Sequence, residues 1–146
     1  MAATRSATAI WQGNLTEGKG TVSSNSSAQL RDLPVSWSAR TEDPNGLSGP
    51  EELLAAAHAS CFSMALSNIL FKAGFTAERL EVTALITGDK LEAGWTVISS
   101  HLTVRGRVPD ADQAAFADAA EQAKDGCPIS RALKGNVALS VEAKLA

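Results

Sequence analysis

Residues 49–73 read GPEELLAAAHASCFSMALSNILFKA, and they carry the strongest helix signal in the chain. Pro50 suits the first position of a helix, and the two glutamates after it favour the positive end of the helix dipole. In residues 53–73 the only ionisable side chains before Lys72 are His58 and Cys61. A helix that is apolar on almost every face is buried centrally, so we expect a long core helix here.

The segments on either side of this helix are typical of strands. Alternating apolar and polar residues, or a turn marked by glycine, predict strands at residues 7–11, 18–22, 33–38, 79–90, 95–108 and 137–145. In residues 95–108 the alternation slips once. A second helix is predicted at residues 109–124 with Asp110 as its N-cap, and a short third helix at residues 127–133. These elements predict an α+β protein with antiparallel sheets around a buried helix.

Composition narrows the class of protein. The chain has 146 residues, 45% of them hydrophobic and 20% charged, which predicts one folded domain spanning residues 1–146. The net charge is −3 and no patch of lysines and arginines stands out, so we expect no nucleic-acid partner. The sequence contains no uninterrupted run of about 18 uncharged apolar residues, so we expect no membrane span. We expect a cytoplasmic protein, in which two cysteines are more often reactive or metal-binding than a structural disulfide.

The two cysteines lie in different local settings. Cys61 lies in the middle of the apolar helix, where a lone cysteine is usually a small core residue and where burial raises a thiol pKa. Cys127 precedes Pro128, at or next to a helix N-cap, where exposed backbone N–H groups stabilise a thiolate. Local electrostatics alone therefore favours Cys127 as the nucleophile.

Histidine and metal chemistry are weaker interpretations. His58 precedes Cys61 by three residues and could lower the thiol pKa, but a hydrogen-bonded core histidine is the favoured interpretation. A zinc site could draw on Cys61, Cys127, His58 and His101. No pair of these has a metal-ligand spacing such as C-x-x-C, so we expect no metal. No nucleotide-binding or serine-hydrolase fingerprint is present.

Two cysteine motifs resemble those of a known family. Residues 49–66 resemble the first-cysteine motif of the OsmC/Ohr family, the osmotically inducible and organic-hydroperoxide-resistance proteins. Residues 126–130, Gly-Cys-Pro-Ile-Ser, resemble its second-cysteine motif. The Trp11-x-Gly13 opening and the Gly-Lys-Gly of residues 18–20 resemble the OsmC branch. The resemblance covers nearly the whole chain in order.

The resemblance implies a fold and a reaction. The implied OsmC-like fold is an intertwined homodimer with long buried central helices and flanking sheets. The implied reaction reduces organic hydroperoxides, and hydrogen peroxide less well, without a metal or bound organic cofactor. By motif position Cys61 attacks the peroxide, and Cys127 resolves the resulting sulfenic acid as a disulfide. The implied reductant is a dithiol, of the class that a lipoyl-bearing protein supplies.

The resemblance also assigns an arginine and a glutamate to the first cysteine. Glu51 matches the family glutamate, and Arg40 is a looser match to the arginine, with Arg5 and Arg31 as weaker candidates. A guanidinium beside Cys61 would favour the thiolate and outweigh apolar burial. Ten positions separate Glu51 from Cys61, about 15 Å along a continuous helix. Either a bend follows Glu51 or the partner chain supplies it, so we expect the site at a dimer interface.

Two other functions remain compatible with these residues. A non-catalytic binding protein could hold an apolar ligand in its interior, with the cysteines as core residues and Arg40 as a carboxylate anchor. A structural disulfide or zinc protein is the third interpretation. Reaction of the thiols with a hydroperoxide distinguishes the peroxidase from these two alternatives.

Overall fold

The computed structural model describes all 146 residues, which form two compact units, Met1–Leu53 and Leu54–Ala146. The helices are α1 (Trp37–Thr41), α2 (Pro50–Lys72), α3 (Gln113–Gly126) and α4 (Pro128–Leu133). The strands are β1 (Ala7–Gln12), β2 (Lys19–Ser24), β3 (Leu33–Val35), β4 (Arg79–Leu91), β5 (Gly94–Arg107) and β6 (Ala138–Leu145). The α+β class is confirmed. The division into units does not test the single-domain expectation, which stays a prediction.

The first unit contains an antiparallel sheet with the strand order β1-β2-β3. Trp11 of β1 pairs with Gly20 of β2, and the indole ring lies over the glycine. A Cβ at Gly20 would lie 2.6 Å from Cε3 of Trp11. Close packing of the tryptophan ring therefore requires glycine at position 20.

The segment at residues 33–38 was predicted as one strand, and this prediction is wrong beyond Val35. Ser36 is the N-cap of α1, and its hydroxyl accepts a hydrogen bond of 3.0 Å from the backbone N–H of Ala39. Trp37 is consequently the first residue of a helix. The capping bond of Ser36 outweighs the apolar–polar alternation that favoured a strand.

The second unit contains a sheet with the order β4-β5-β6. β4 and β5 form an antiparallel hairpin whose register shifts between Thr87 and Gly88, which leaves Ile98 without a paired residue. This bulge confirms the slip predicted in the alternation of β5. β6, however, pairs with β5 in parallel, so the expectation of purely antiparallel sheets is wrong for that pair. Helices α3 and α4 supply the long connection that a parallel pair requires.

Helix α2 buries a single stripe. Its buried residues, spaced four apart, are His58, Phe62, Leu66 and Leu70. The three apolar members belong to a core cluster that also contains Leu102 of β5 and Phe116 of α3. Met64 and Phe71 are 71% and 68% exposed, so the expectation that every face of this helix is buried is wrong within one chain.

By length and composition alone, α2 is apolar enough to cross a membrane. Only 22% of its most apolar window is buried within the chain. The core helix of a folded protein meets the same criteria, and α2 contributes three fully buried side chains to a core cluster. The length and apolar composition of α2 mean that the sequence argument against a membrane span does not hold for this helix.

Helix α3 begins later than predicted. Its N-cap is Asp112, whose carboxylate accepts a hydrogen bond of 2.8 Å from the backbone N–H of Ala115. Asp110, the predicted cap, has a φ of 71° and precedes the helix in a turn. Both aspartates suit a cap, and the left-handed backbone at Asp110 places only the second one beside the first helical N–H groups.

Gly106 provides a test of how tightly the second unit is packed. A Cβ there would lie 2.7 Å from Cε1 of Phe116 and 3.2 Å from Cδ2 of Leu80, and closer still to Cζ of Phe116. Because Phe116 is fully buried, its ring has little room to move. We expect Gly106→Ala to reduce the free energy of unfolding by about 1–3 kcal/mol, measured by denaturant titration. The control is Gly126→Ala, where an added Cβ would have no packing neighbour within 4 Å, and equal losses in the two variants would contradict the prediction.

Candidate active site

Cys127 lies at the break between two helices. It ends α3 and is the N-cap of α4, as the sequence predicted, and its side chain is fully buried. The sulfur accepts a hydrogen bond of 3.3 Å from the backbone N–H of Ser130, and the thiol donates one of 3.0 Å to the Ser130 hydroxyl. Ser130 therefore contacts this sulfur through two separate groups.

Cys61 lies on α2 beside Cys127, and both cysteines are free thiols. Cys61 is partly exposed, in contrast to Cys127. Burial raises the pKa of the Cys61 thiol; the backbone hydrogen bond at Ile129 lowers it, the neighbouring Cys127 thiol raises it further, and the charge of Arg131 lowers it. The raising effects prevail, so within one chain Cys61 is less acidic than an ordinary cysteine.

Arg131 is a residue that the sequence analysis did not identify. It lies on α4 four positions after Cys127, and it is exposed. Residues four apart on a helix share a face, and this spacing was the available signal. The guanidinium is the one basic group among the causes that shift the Cys61 pKa.

His58 is a buried histidine with both ring nitrogens hydrogen-bonded. Nδ1 lies 2.7 Å from the Ser100 hydroxyl, and Nε2 lies 2.8 Å from the Ser130 hydroxyl. Burial lowers the pKa of His58, so the ring is neutral at pH 7. The interpretation as a hydrogen-bonded core histidine is confirmed. The hydrogen bonds that connect His58 through Ser130 to Cys127 were not predicted from the sequence.

Arg40 and Glu51 form a close ion pair in the first unit. Nε of Arg40 donates to both carboxylate oxygens of Glu51, at 2.8 and 3.0 Å. The guanidinium also lies 5.7 Å from the centre of the Trp37 ring, within cation–π range. Arg40 contributes to the wall of an apolar cleft of about 280 Å³. The other lining residues are Trp11, Leu15, Val35, Ser36, Trp37 and Pro50.

The predicted site residues thus form two pairs. Arg40 pairs with Glu51 in the unit Met1–Leu53, and Cys61 lies beside Cys127 in the unit Leu54–Ala146. The alternative arginines are exposed: Arg5 donates to the carbonyl of Thr4, and Arg31 donates to that of Ala28. Neither of those bonds involves a carboxylate, so Arg40 stays the preferred candidate.

The residues considered for zinc do not form a ligand group. No cluster of three or more histidine, cysteine, aspartate or glutamate side chains is placed to hold a metal ion. His101 instead lies on β5 with Nδ1 2.6 Å from the hydroxyl of Ser140 on β6. The geometry therefore supplies thiols, a histidine and an ion pair as the available chemical groups.

Comparison with known proteins gives relatives over nearly the whole chain. Peroxiredoxin OsmC of Escherichia coli is 41% identical over 136 residues, 93% of this chain and 94% of the relative. The organic hydroperoxide resistance protein OhrB of Bacillus subtilis has a similar structure, with a TM-score of 0.72, 25% identity, and coverage of 95% of this chain and 98% of OhrB. An organic hydroperoxide resistance protein of Elizabethkingia anophelis, 24% identical, shares the fold with a TM-score of 0.72 over 99% of this chain and 100% of its own.

The family model described as OsmC-like protein matches residues 43–142, which include both cysteines and Glu51. The resemblance seen in the two cysteine motifs is thereby confirmed, as is the OsmC-like fold. From the family match and the 41% identity over 93% of its length, this chain belongs to the OsmC-like protein family.

Proposed function

We propose that this protein is a cysteine-dependent peroxidase that reduces organic hydroperoxides, and hydrogen peroxide less well. The observation that carries the proposal is the contact between two free thiols, Cys61 and Cys127. The relative from Escherichia coli is named a peroxiredoxin, and the one from Bacillus subtilis an organic hydroperoxide resistance protein. A peroxide-linked redox function agrees with both names and with the thiol pair.

The reaction proceeds in two sulfur steps. The Cys61 thiolate attacks the terminal oxygen of the hydroperoxide, the O–O bond breaks, and the alkoxide leaves as the alcohol after taking up a proton. The sulfur of Cys127 then attacks the sulfenic sulfur of Cys61, which forms the disulfide and releases water. A dithiol reductant returns both cysteines to thiols, and a lipoyl-bearing protein is the proposed class.

Accessibility supports the assignment of Cys61 as the attacking residue. Local electrostatics had favoured Cys127, and the hydrogen bond that its sulfur accepts from the backbone N–H of Ser130 agrees with that argument. Cys127 is fully buried, however, whereas Cys61 is partly exposed and can be reached by a peroxide. A buried cysteine next to a partly exposed one is suited to resolution, because the sulfenic acid that it attacks is formed within contact distance.

Arg40 and Glu51 are the proposed activating pair. A guanidinium beside Cys61 would lower the thiol pKa that burial raises, typically by about one to three units. Both hydrogen bonds to Glu51 use Nε of Arg40, so the two Nη groups can donate to the thiolate and to the peroxide oxygen. Glu51 thus orients the guanidinium plane.

The cleft beside Arg40 favours organic over inorganic peroxide. Its walls include the rings of Trp11 and Trp37 and the side chains of Leu15 and Val35. Apolar walls contribute binding energy for an alkyl or aryl group, which hydrogen peroxide lacks. The same cleft also suits the runner-up function, a binding protein that holds an apolar ligand with Arg40 on its carboxylate.

We further propose an intertwined homodimer in the cytoplasm. Helix α2 is one unbroken helix from Pro50 to Lys72, so it does not provide the bend that the sequence left open. The exposed apolar side chains Met64 and Phe71 give α2 an uncovered face that a second copy would bury. The partner chain would then supply Arg40 and Glu51 to Cys61.

The two cysteines should respond differently to substitution. We expect Cys61→Ser to abolish hydroperoxide consumption, because it removes the attacking thiolate. Cys127→Ser should retain a single turnover and accumulate a sulfenic acid on Cys61, detected by dimedone labelling and mass spectrometry. If Cys61→Ser accumulates a sulfenic acid on Cys127 instead, the roles are reversed.

Arg40→Ala should raise the Cys61 pKa and reduce peroxidase activity by at least about tenfold, since each pKa unit changes the thiolate fraction near neutral pH about tenfold. Arg40→Lys should recover part of the loss, because lysine lacks the planar fork that spans a carboxylate and a peroxide. Glu51→Ala should reduce activity less than Arg40→Ala. The measurement is the pH dependence of Cys61 alkylation in a Cys127→Ser background.

Arg31→Ala is the matched control for Arg40, and it should leave the Cys61 alkylation profile unchanged. Co-expression of the Arg40→Ala chain with the Cys61→Ser chain tests whether the arginine acts across a dimer. Mixed dimers should regain activity if one chain supplies Arg40 and the other supplies Cys61. No recovery, together with an unchanged Cys61 pKa in Arg40→Ala, would reject this arginine.

A further inference from the structure

The buried polar side chains of the second unit form a continuous hydrogen-bonded chain that ends on the resolving sulfur. The Ser100 hydroxyl lies 2.7 Å from Nδ1 of His58, and Nε2 of His58 lies 2.8 Å from the Ser130 hydroxyl. The Cys127 thiol donates to that hydroxyl at 3.0 Å. Each of these four side chains is fully buried.

We propose that His58 is the proton acceptor for the Cys127 thiol during disulfide formation and that the Ser130 hydroxyl relays the proton. This inference rests on the proposed function, because it concerns the resolution step of that reaction. His58 hydrogen bonds to Ser100 and Ser130 and to neither sulfur, so it is a positioning residue that acts on Cys127 through Ser130.

The hydrogen bond between the Cys127 thiol and the Ser130 hydroxyl sets the direction of the relay. Because the Cys127 thiol donates to the Ser130 oxygen, the Ser130 hydroxyl hydrogen is available for Nε2 of His58. The relay therefore requires the neutral tautomer with its hydrogen on Nδ1, which donates to the Ser100 hydroxyl 2.7 Å away. In this arrangement Nε2 is a lone-pair acceptor one hydroxyl away from the thiol proton.

The proton-transferred state is also hydrogen-bonded throughout. The thiol proton moves to Ser130, the former Ser130 proton moves to Nε2, and the thiolate accepts from the Ser130 hydroxyl and from the Ser130 backbone N–H. The imidazolium then donates from both nitrogens, to Ser100 and to Ser130. None of these hydrogen-bonded groups loses its hydrogen-bond partner as the proton moves, which keeps the free-energy cost of the proton transfer low.

The chemistry balances within the site. The Cys127 thiolate forms the S–S bond with Cys61, and the S–O bond of the sulfenic acid breaks. The hydroxide that leaves takes the proton back from His58 through Ser130 and departs as water. No oxidant beyond the hydroperoxide of the first step is required.

The surroundings of His58 make it an acceptor and not a resident cation. No acidic or basic side chain hydrogen bonds to the ring, and burial is the one cause that shifts its titration. The pKa of His58 is therefore lowered from 6.5, and the ring stays neutral and able to accept at pH 6.5 and above. The Cys127 thiol is the other titratable group in this hydrogen-bonded network, and beside it lie the Cys61 thiol and the charge of Arg131, which acts on Cys61.

The test uses His58→Gln and Ser130→Ala in the full-length protein. Glutamine can still hydrogen bond to Ser130, but it cannot take up a proton. After one equivalent of cumene hydroperoxide, disulfide formation competes with dimedone for the Cys61 sulfenic acid. We expect both variants to resolve at least about tenfold more slowly at pH 7, and therefore to show a larger dimedone-labelled fraction.

The pH profile separates a relay from a packing role. Without the relay the thiol must ionise to solvent, so the deficit of His58→Gln should shrink as the pH rises from 7 to 9. Ser130→Thr, which keeps the hydroxyl, should restore most of the rate. His101→Gln is the matched control, because His101 hydrogen bonds to Ser140 and takes no part in the hydrogen bonds between Ser100, His58, Ser130 and Cys127. Its resolution rate should match that of the unsubstituted protein.

A deficit in His58→Gln that is equal at every pH would overturn the relay, as would an unchanged resolution rate in both variants. If His58→Gln does not fold, the same comparison of Ser130→Ala with Ser130→Thr decides the matter. An unsubstituted protein that forms neither sulfenic acid nor disulfide would instead overturn the proposed function and the relay with it.

Discussion

The contact between the Cys61 and Cys127 thiols depends on the burial of one stripe of helix α2 within the core of the second unit. Phe62, Leu66 and Leu70 hold that stripe in the core, where each fully buried side chain of this size contributes about 1.5–3 kcal/mol. Cys61 immediately precedes Phe62, so the packing that buries the phenylalanine also positions the thiol. Cys127 arrives at the same place because the chain breaks between α3 and α4.

The core tolerates these buried polar residues because they form hydrogen bonds with one another. His58, Ser100 and Ser130 are fully buried, and no buried side-chain nitrogen or oxygen lacks a hydrogen-bond partner. An unpaired group in such a position would cost about 1–3 kcal/mol. Satisfied polar networks orient their members as well as stabilising them, so Ser130 holds the Cys127 sulfur in one position. The same network provides the proposed route for the thiol proton.

Local patterns in the sequence predicted the features that depend on neighbouring residues. The start of α2 at Pro50, the bulge in β5 and the cap at Cys127 follow from dihedral preference, alternation and capping. The parallel pairing of β6 was missed, because alternation within a strand does not specify the direction of its neighbour. The choice of Asp112 over Asp110 was missed because both residues suit a cap.

The site was predictable in part. The resemblance assigned Arg40, Glu51 and the two cysteines to one site. The ion pair of Arg40 with Glu51 and the contact between the cysteines join residues 11 and 66 positions apart. The partners of His58 were not predicted, since Ser100 and Ser130 lie 42 and 72 positions away and no local pattern connects them. The electrostatic effect of Arg131 on Cys61 likewise depends on the packing of α4 against α2.

The most direct test of the account is a thiol count with intact mass, before and after one equivalent of cumene hydroperoxide. The account predicts that both thiols of each chain disappear, that the mass falls by the two hydrogens of a disulfide, and that dihydrolipoamide restores both thiols. Two unchanged thiols with the hydroperoxide still present would contradict it, and would favour a binding protein for an apolar ligand.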